Sequence, residues 1–363
     1  MSLSIIGLGT AVPETKITRQ HALAVAQRIC PTAQMRERLE ELHQHSGIEN
    51  RYSALGSEVL HDILNRTRNS GSVFLPGNND RGPTTAQRMH VYRKQAVSVA
   101  LQACRNALAE ANIAPSSITH LVTVSCTGFS APGFDVGLIG ELSLPRSVER
   151  TQVGFMGCHG ALNGLRVARA LAESERDACV LLCAVELCSL HYDYGEEMQK
   201  LVSNALFADG AAAVVGRADQ TDHRWKVFAN GSFVVPDSLH IMTWNIGDHG
   251  FDMTLSSRLP RLIEINLSGW LGTWLEHNGL AMSDVGSWAV HPGGPKILDA
   301  VQTSLKLPAS ALSVSRDVLA EYGNMSSPTI IFILERLRRE RAPRPCVALG
   351  FGPGLTIEAA IIA

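Results

Sequence analysis

Leu108-Ala-Glu-Ala-Asn-Ile-Ala-Pro-Ser-Ser-Ile-Thr-His-Leu-Val-Thr-Val-Ser-Cys126 and Trp274-Leu-Glu-His-Asn-Gly-Leu-Ala-Met-Ser-Asp-Val-Gly-Ser-Trp-Ala-Val-His291 decide how this 363-residue chain folds. Each reads as a helix end, a short loop and a strand that closes on a polar residue before a Gly/Pro turn. The two stretches lie about 166 positions apart. The next elements keep that offset: Gly157-Cys158 opens one helix and Gly323-Asn324 opens another. Two elements repeated in one register predict an internal duplication, with two related α/β halves packed together. The polar stretch Arg217-Ala-Asp-Gln-Thr-Asp-His-Arg224 is the best linker, giving halves of residues 1–222 and 223–363.

Outward from this pair, residues 3–9 read as an apolar strand and 18–45 as helix interrupted by Pro31. Residues 53–83 are rich in Gly, Asn, Ser and Pro and read as a loop. A strong helix follows over about 85–112, with Val97, Ala100, Leu101, Cys104, Leu108 and Ala111 at helical spacing. Residues 151–157 read as strand and turn, and 158–174 as helix, with Leu162, Leu165, Ala168 and Leu171 in phase. Cys179 to Glu186 is a buried strand, and Leu206 to Val215 has strand ends around Asp209-Gly210. A second-half helix runs through Ile330, Ile331, Leu334 and Leu337, and Val347 to Glu358 reads as strand, turn, strand.

Composition narrows the function classes. Charged residues are 18 % of the chain, against a usual ~25 %. Such a chain buries much of itself, in thick layers or in a subunit interface. A net charge of −2 and a pI of about 6.7 support neither a nucleic-acid face nor a polybasic membrane patch. The longest apolar runs fall far short of the ~20 residues that span a bilayer. The N-terminus lacks the basic and long apolar regions of a signal peptide. None of the 8 cysteines forms a C-x-x-C pair, so no zinc ribbon or thioredoxin motif is present. The expectation is a reduced, cytoplasmic enzyme.

Three residues carry the chemistry. Cys158 sits at a strand-to-helix turn in Gly154-Phe-Met-Gly-Cys-His-Gly160. Unpaired N–H groups at a helix start favour a thiolate and lower the cysteine pKa; the plain alternative is a small buried cysteine packing like alanine. His291 leaves a strand into Pro292-Gly-Gly-Pro295. It is either a satisfied structural histidine or a partner for a thiolate and a donor to an oxyanion. Asn324 reads as a helix cap when taken alone. In a duplicated chain it takes the place of Cys158 in the other half, and the two elbows would face each other.

With these motifs in view, the chain resembles the type III polyketide synthases of the chalcone and stilbene synthase family. The resemblance rests on Gly157-Cys158, Trp288-Ala-Val-His-Pro-Gly-Gly-Pro-Lys-Ile-Leu298, Tyr322-Gly-Asn-Met-Ser-Ser327 and Gly350-Phe-Gly-Pro-Gly-Leu-Thr-Ile-Glu358. Leu206-Phe-Ala-Asp-Gly-Ala-Ala-Ala213 and Gly9-Thr-Ala-Val-Pro13 support it, and together the motifs cover nearly the whole chain in family order. It implies a thiolase-like layered αβαβα fold of two pseudo-symmetric halves and a homodimer. It also implies that Cys158 takes an acyl starter from coenzyme A, held as a thiolate by His291. His291 and Asn324 would then stabilise the enolate formed when malonyl-CoA loses CO2. Repeated Claisen condensation and cyclisation follow, with coenzyme A thioesters as substrates and no metal, flavin or pyridoxal.

The resemblance further implies a cavity with Phe207 at its gate and Met253 where the family places a second phenylalanine, Phe251 lying two residues away. Cys126, Thr127, Cys188, His191, Ser326, Gly352 and Pro353 would line it. Cys126 and His191 stand where plant members carry threonine, and Ala131 where they carry a methionine; these departures have a bacterial look. His191 would narrow the cavity or donate a hydrogen bond during cyclisation. His159 is a second candidate base. Arg51 fits a position that meets coenzyme A phosphates, with Arg88, Arg93 and Arg258 as further candidates. The reading leans to a fatty-acyl starter and alkylpyrone, alkylresorcinol or phloroglucinol-type products. One alternative is a ketoacyl synthase III-like single condensation with an acyl carrier protein. The other is a non-catalytic scaffold of the same fold, against which the intact Cys158, His291 and Asn324 argue.

Overall fold

The computed structural model describes residues 2–29, 32–77, 81–195, 197–218 and 225–363. The first half runs β1 (Leu3–Ala11), β2 (Thr15–Thr18), α1 (Arg19–Ile29), α2 (Ala33–His45), β3 (Asn50–Ser53), α3 (Ser57–Asn65) and α4 (Thr85–Ala111). It continues β4 (His120–Ser125), α5 (Phe134–Leu142), β5 (Glu149–Gly154), α6 (Gly160–Ser174), β6 (Cys179–Leu187), α7 (Met198–Leu206) and β7 (Asp209–Ala218). The second half runs β8 (Lys226–Val234), β9 (Met242–Gly247), β10 (Gly250–Leu255), α8 (Leu259–His277), β11 (Ser287–Val290), α9 (Pro295–Leu305), α10 (Ser313–Tyr322), α11 (Thr329–Arg339), β12 (Cys346–Gly352) and β13 (Thr356–Ile362).

The duplication is visible in the strand order. The main sheet runs β11-β12-β13-β8-β1-β7-β6-β4-β5. Outward from the centre, β1-β7-β6-β4 and β8-β13-β12-β11 have the same sequence of antiparallel, antiparallel and parallel pairings. The halves join where Leu3 and Ser4 of β1 pair Val227 and Lys226 of β8.

Three apolar clusters give the layers. One packs α4, as Ala96, Ala100, Ala103 and Ala107, on Leu181, Val185 and Val215 of the first half's strands. Another packs α8 and α9 on β12 and β13. Between them lies a central core that joins Leu162 and Leu165 of α6 to Ile330, Ile331 and Leu334 of α11. α6 touches β4 and β6 of its own half and β8 and β13 of the other; α11 touches β11 and β12 and also β1 and β7. The fold is therefore the thiolase-like αβαβα stack. Helix α4 starts on a capping box, Thr84 with Gln87, a device worth ~1 kcal/mol.

Three readings need correction. The loop expected over 53–83 contains α3, whose Val59 and Ile63 bury one face at i, i+4 spacing. Flanking turn residues hid this short helix. Asn324 does not open a helix: α11 starts at Thr329, and Asn324 forms an isolated bridge with Phe207. Of the expected linker, residues 217–218 belong to β7 and 219–224 lie outside the described residues.

Candidate active site

The elbow after β5 turns through Phe155, φ 58°, and Gly157, φ 76°. Glycine is required at 157, because a Cβ there would run into the Pro353 ring. Cys158 follows in a single 3-10 turn, two residues before α6 begins. The matching elbow of the second half carries Ser326 at φ 57°. Left-handed backbone at a non-glycine residue costs on the order of 1–3 kcal/mol, and it recurs at both elbows of this site.

The elbows meet as the duplication predicts. The side chains of Ser326 and Asn324 reach the Cys158 thiol and pull its pKa down. The Asn324 Oδ1 accepts from the Ser326 N–H at 2.8 Å. That leaves the Asn324 amide nitrogen as the donor facing sulfur. Its backbone is fixed by Asn324 N–H to Leu206 O, 3.0 Å, and Ala208 N–H to Asn324 O, 2.9 Å. The same bridge sets Phe207 beside the site.

Electrostatics at Cys158 run against the expectation from a helix start. Burial pushes the thiol up to about 11, and the hydrogen bonds from Ser326 and Asn324 only partly oppose it. Desolvation outweighs the helix end. His291 follows β11, its N–H bonded to Leu349 O at 2.8 Å. The ring is buried, and neither nitrogen has a hydrogen-bond partner among the described residues. Burial takes this imidazole down to about 3, with His159 adding to the shift.

A cavity opens from Cys158. Cys126, Thr127, Gly157, Cys188, His191, Phe207, Met253, Ser326 and Pro353 line it, together with Arg51. Its wall continues through the apolar side chains of Ile17, Ala22, Val25 and Ile29 and of Leu55, Val59, Leu60 and Ile63. Phe251 and Met253 both reach it, because two residues apart on strand β10 means one face. Phe251 stacks on His191 at 4.2 Å and meets the edge of Trp244 at 5.6 Å.

Some expected roles change. His191 accepts from the Phe251 N–H at Nδ1, 3.0 Å, so Nε2 carries the proton and donates to Thr127 O, 2.7 Å. Both nitrogens are committed; the ring shapes the wall and has no proton to donate to a product. Gly352 lies behind the cavity, where a Cβ would enter the His159 ring. His159 itself bonds Asn163 at 2.7 Å. Arg51 is buried at 5 % exposure. Its guanidinium donates to Asn204 O at 3.0 Å, Ala205 O at 2.7 Å and Phe207 O at 3.4 Å. It clamps the end of α7 and does not stand open for a phosphate. Arg88 is buried on the carbonyls of Pro83, Leu190 and Tyr192. Arg93 and Arg258 are exposed and away from the cavity wall. Lys200 does line the cavity, and Asp193 holds it at 3.0 Å.

Sequence reasoning missed Glu186. This fully buried carboxylate accepts from Cys126 N–H at 2.9 Å, Thr127 N–H at 3.1 Å, Thr127 Oγ1 at 2.8 Å and Ser327 Oγ at 2.7 Å. It ties the end of β4 to the second elbow. Burial pushes its carboxyl up, and these donors oppose that. Its signal was a single acidic residue inside a nine-residue buried strand, where a charge demands partners. Trp244 was also missed; its Nε1–H donates to Cys126 O at 2.8 Å.

Two family profiles match the chain. The profile described as "Chalcone and stilbene synthases, N-terminal domain" matches residues 2–220, and the corresponding C-terminal profile matches 226–363. The chain is 32 % identical to "Alpha-pyrone synthesis polyketide synthase-like Pks18" of Mycobacterium tuberculosis, over 98 % of this chain and 89 % of that protein. It is 32 % identical to "1,3,6,8-tetrahydroxynaphthalene synthase" of Streptomyces peucetius subsp. caesius, over 98 % and 91 %. Among solved structures it superposes on PKS-I from the brown alga Ectocarpus siliculosus with a TM-score of 0.92 and 30 % identity, covering 100 % of this chain and 98 % of that one.

Proposed function

This chain belongs to the chalcone and stilbene synthase family as a type III polyketide synthase, an acyltransferase of decarboxylating malonyl-CoA condensation, and on that premise we propose that it extends a fatty-acyl starter and cyclises the product, working as a homodimer. Cys158 attacks the starter thioester; the bond to coenzyme A sulfur breaks and an acyl–Cys158 thioester forms. Coenzyme A leaves as its thiolate and takes up a proton. Malonyl-CoA then loses CO2, and the electron pair passes to an enolate. Donors from His291 and Asn324 meet the negative oxygen, the kind of term that removes several kcal/mol from such a barrier. The enolate carbon attacks the acyl–Cys158 carbonyl, and the Cys158 thiolate departs. Further rounds return the chain to sulfur.

One observation carries this reading. Cys158 meets the other half's Asn324 and Ser326 at a cavity that is also lined by apolar residues of α1 and α3. Those walls suit an alkyl chain. The alpha-pyrone wording of the mycobacterial relative supports an alkylpyrone over the resorcinol or phloroglucinol types.

The test is a product profile by mass spectrometry, with malonyl-CoA, starters of increasing acyl length and no carrier protein. Triketide or longer products, favoured by long starters, are expected. Cys158→Ala should load no acyl group by intact mass. Products that stop after one condensation, or that require a carrier protein, would favour the ketoacyl synthase III-like alternative. Full acylation of the alanine variant would overturn the assignment of the nucleophile.

A further inference from the structure

We propose that His120, Glu149 and Glu175 form a divalent-cation site of the zinc class, separate from the condensing centre. It lies at the opposite end of β4 from Cys126, about 20 Å of strand away.

Three elements build it. His120 is the first residue of β4 and pairs directly with Glu149, the first residue of β5. Glu175 caps the C-terminal end of α6, its N–H bonded to Leu171 O at 3.0 Å. The His120 Nε2 stands 3.8 Å from a Glu149 carboxylate oxygen and 3.6 Å from a Glu175 oxygen. One donor atom from each residue lies within 4.8 Å of the others.

The histidine gives the second, independent sign. Its side chain is 4 % exposed. Its Nε2 has no hydrogen-bond partner among the described residues, although it faces both carboxylates. On the other side of the ring, Nδ1 lies 2.8 Å from Thr119 Oγ1. That hydroxyl donates to Cys179 O at 3.2 Å and accepts from Cys179 N–H at 2.8 Å. Thr119 thus anchors one ring nitrogen and leaves the buried Nε2 turned toward the two carboxylates, where one cation would engage all three groups. Ligand histidines commonly have their other nitrogen anchored in this way.

Geometry and chemistry agree on the class. Donors about 2.0–2.1 Å from a tetrahedral zinc stand about 3.3–3.4 Å apart. The two distances from His120, 3.6 and 3.8 Å, lie a few tenths of an ångström beyond this, and the set as a whole, within 4.8 Å, needs inward closure. The two glutamates, 72 % and 53 % exposed, are free to supply it. One imidazole and two carboxylates suit zinc or its first-row neighbours better than calcium or magnesium, which favour all-oxygen sets. A cation here would staple β4, β5 and the α6–β6 turn.

The experiment titrates zinc chloride into chelator-treated full-length protein by calorimetry, in a Cys158→Ala background that removes the catalytic thiol as a competing ligand. Cobalt(II) absorption reports the geometry, and thermal unfolding reports the coupling to stability. About one zinc per chain, a tetrahedral cobalt spectrum and a Tm raised by zinc are expected. The double variant Glu149→Gln with Glu175→Gln changes exposed side chains and should fold. It should lose at least about tenfold in affinity and all of the zinc-dependent Tm rise. Equal zinc binding by parent and double variant would overturn the proposal. So would no stoichiometric binding by the parent, which would leave the cluster as a histidine–carboxylate contact only.

Discussion

Burial acts in opposite directions on Cys158 and His291. Burial holds the thiol up at about 11 and the His291 imidazole down at about 3, so each group alone stays neutral at pH 7. The proposed thiolate exists only if the proton moves from sulfur to the ring, so that two charges form together and compensate each other. Asn324 and Ser326, bonded to the sulfur, favour that transfer. The prediction is a reactivity profile. In the native enzyme, Cys158 alkylation should be nearly flat from about pH 6 to 8, as for a histidine-paired thiolate. In His291→Gln the proton has nowhere to go. The alkylation rate should then rise about tenfold per pH unit towards pH 11, since only the thiolate reacts. A native profile as steep as the variant's would remove His291 from the pairing role. The meeting of Cys158 and Asn324 was legible in the sequence because a duplication offset links them. The direction of the thiol's shift was not, because burial of the elbow where the two halves meet is a tertiary fact.

At the scale of elements, Phe207 is held by a clamp that the sequence disguised. Arg51 stands on β3, and its position in a motif suggested a phosphate contact. Its guanidinium instead fastens the last carbonyls of α7, which leads into Phe207 and so into the bridge with Asn324. Such carbonyls are orphans of any helix end. A buried cation is well matched to them. Burial lowers this guanidinium only to about 10, so it stays charged at pH 7. Arg51→Gln should therefore cost about 2–3 kcal/mol in urea unfolding, through lost charge-assisted bonds and unsatisfied carbonyls. It should also lower kcat through a displaced Phe207. A phosphate contact would act differently: KM for malonyl-CoA would rise, the rise would depend on salt, and stability would hold. Periodicity showed the long elements, α4, α6 and α11, because one apolar face repeats many times. It failed at α3, with its two buried apolar positions, and could not say which carbonyls a buried arginine would find.

At the scale of the molecule, the low charge content has a visible cause. Three apolar layers separated by buried strands leave little of the chain to carry charge. One side of the sheet is left unfinished. β5 is an edge strand whose residues from Glu149 to Gln152 are exposed. Unpaired edge groups are a template for another strand. Beside it stand Phe129, Val136 and Met156, large apolar residues that are 39 %, 42 % and 37 % exposed. Met156 is two residues from Cys158, so a subunit seated there would close the outside of the nucleophile's elbow. This is the face on which the proposed homodimer should form, through the same patch on both copies. Val136→Lys combined with Met156→Lys leaves the interior of each subunit untouched, since both side chains already reach the surface. Sedimentation at micromolar protein should show the native chain as a dimer and the double variant as a folded monomer. Activity should fall with the dimer if its partner completes the elbow. A double variant that still sediments as a dimer would place the interface elsewhere and leave the β5 edge to be protected by its own short length and by Arg150, which is held by Asp135 at 2.7 Å.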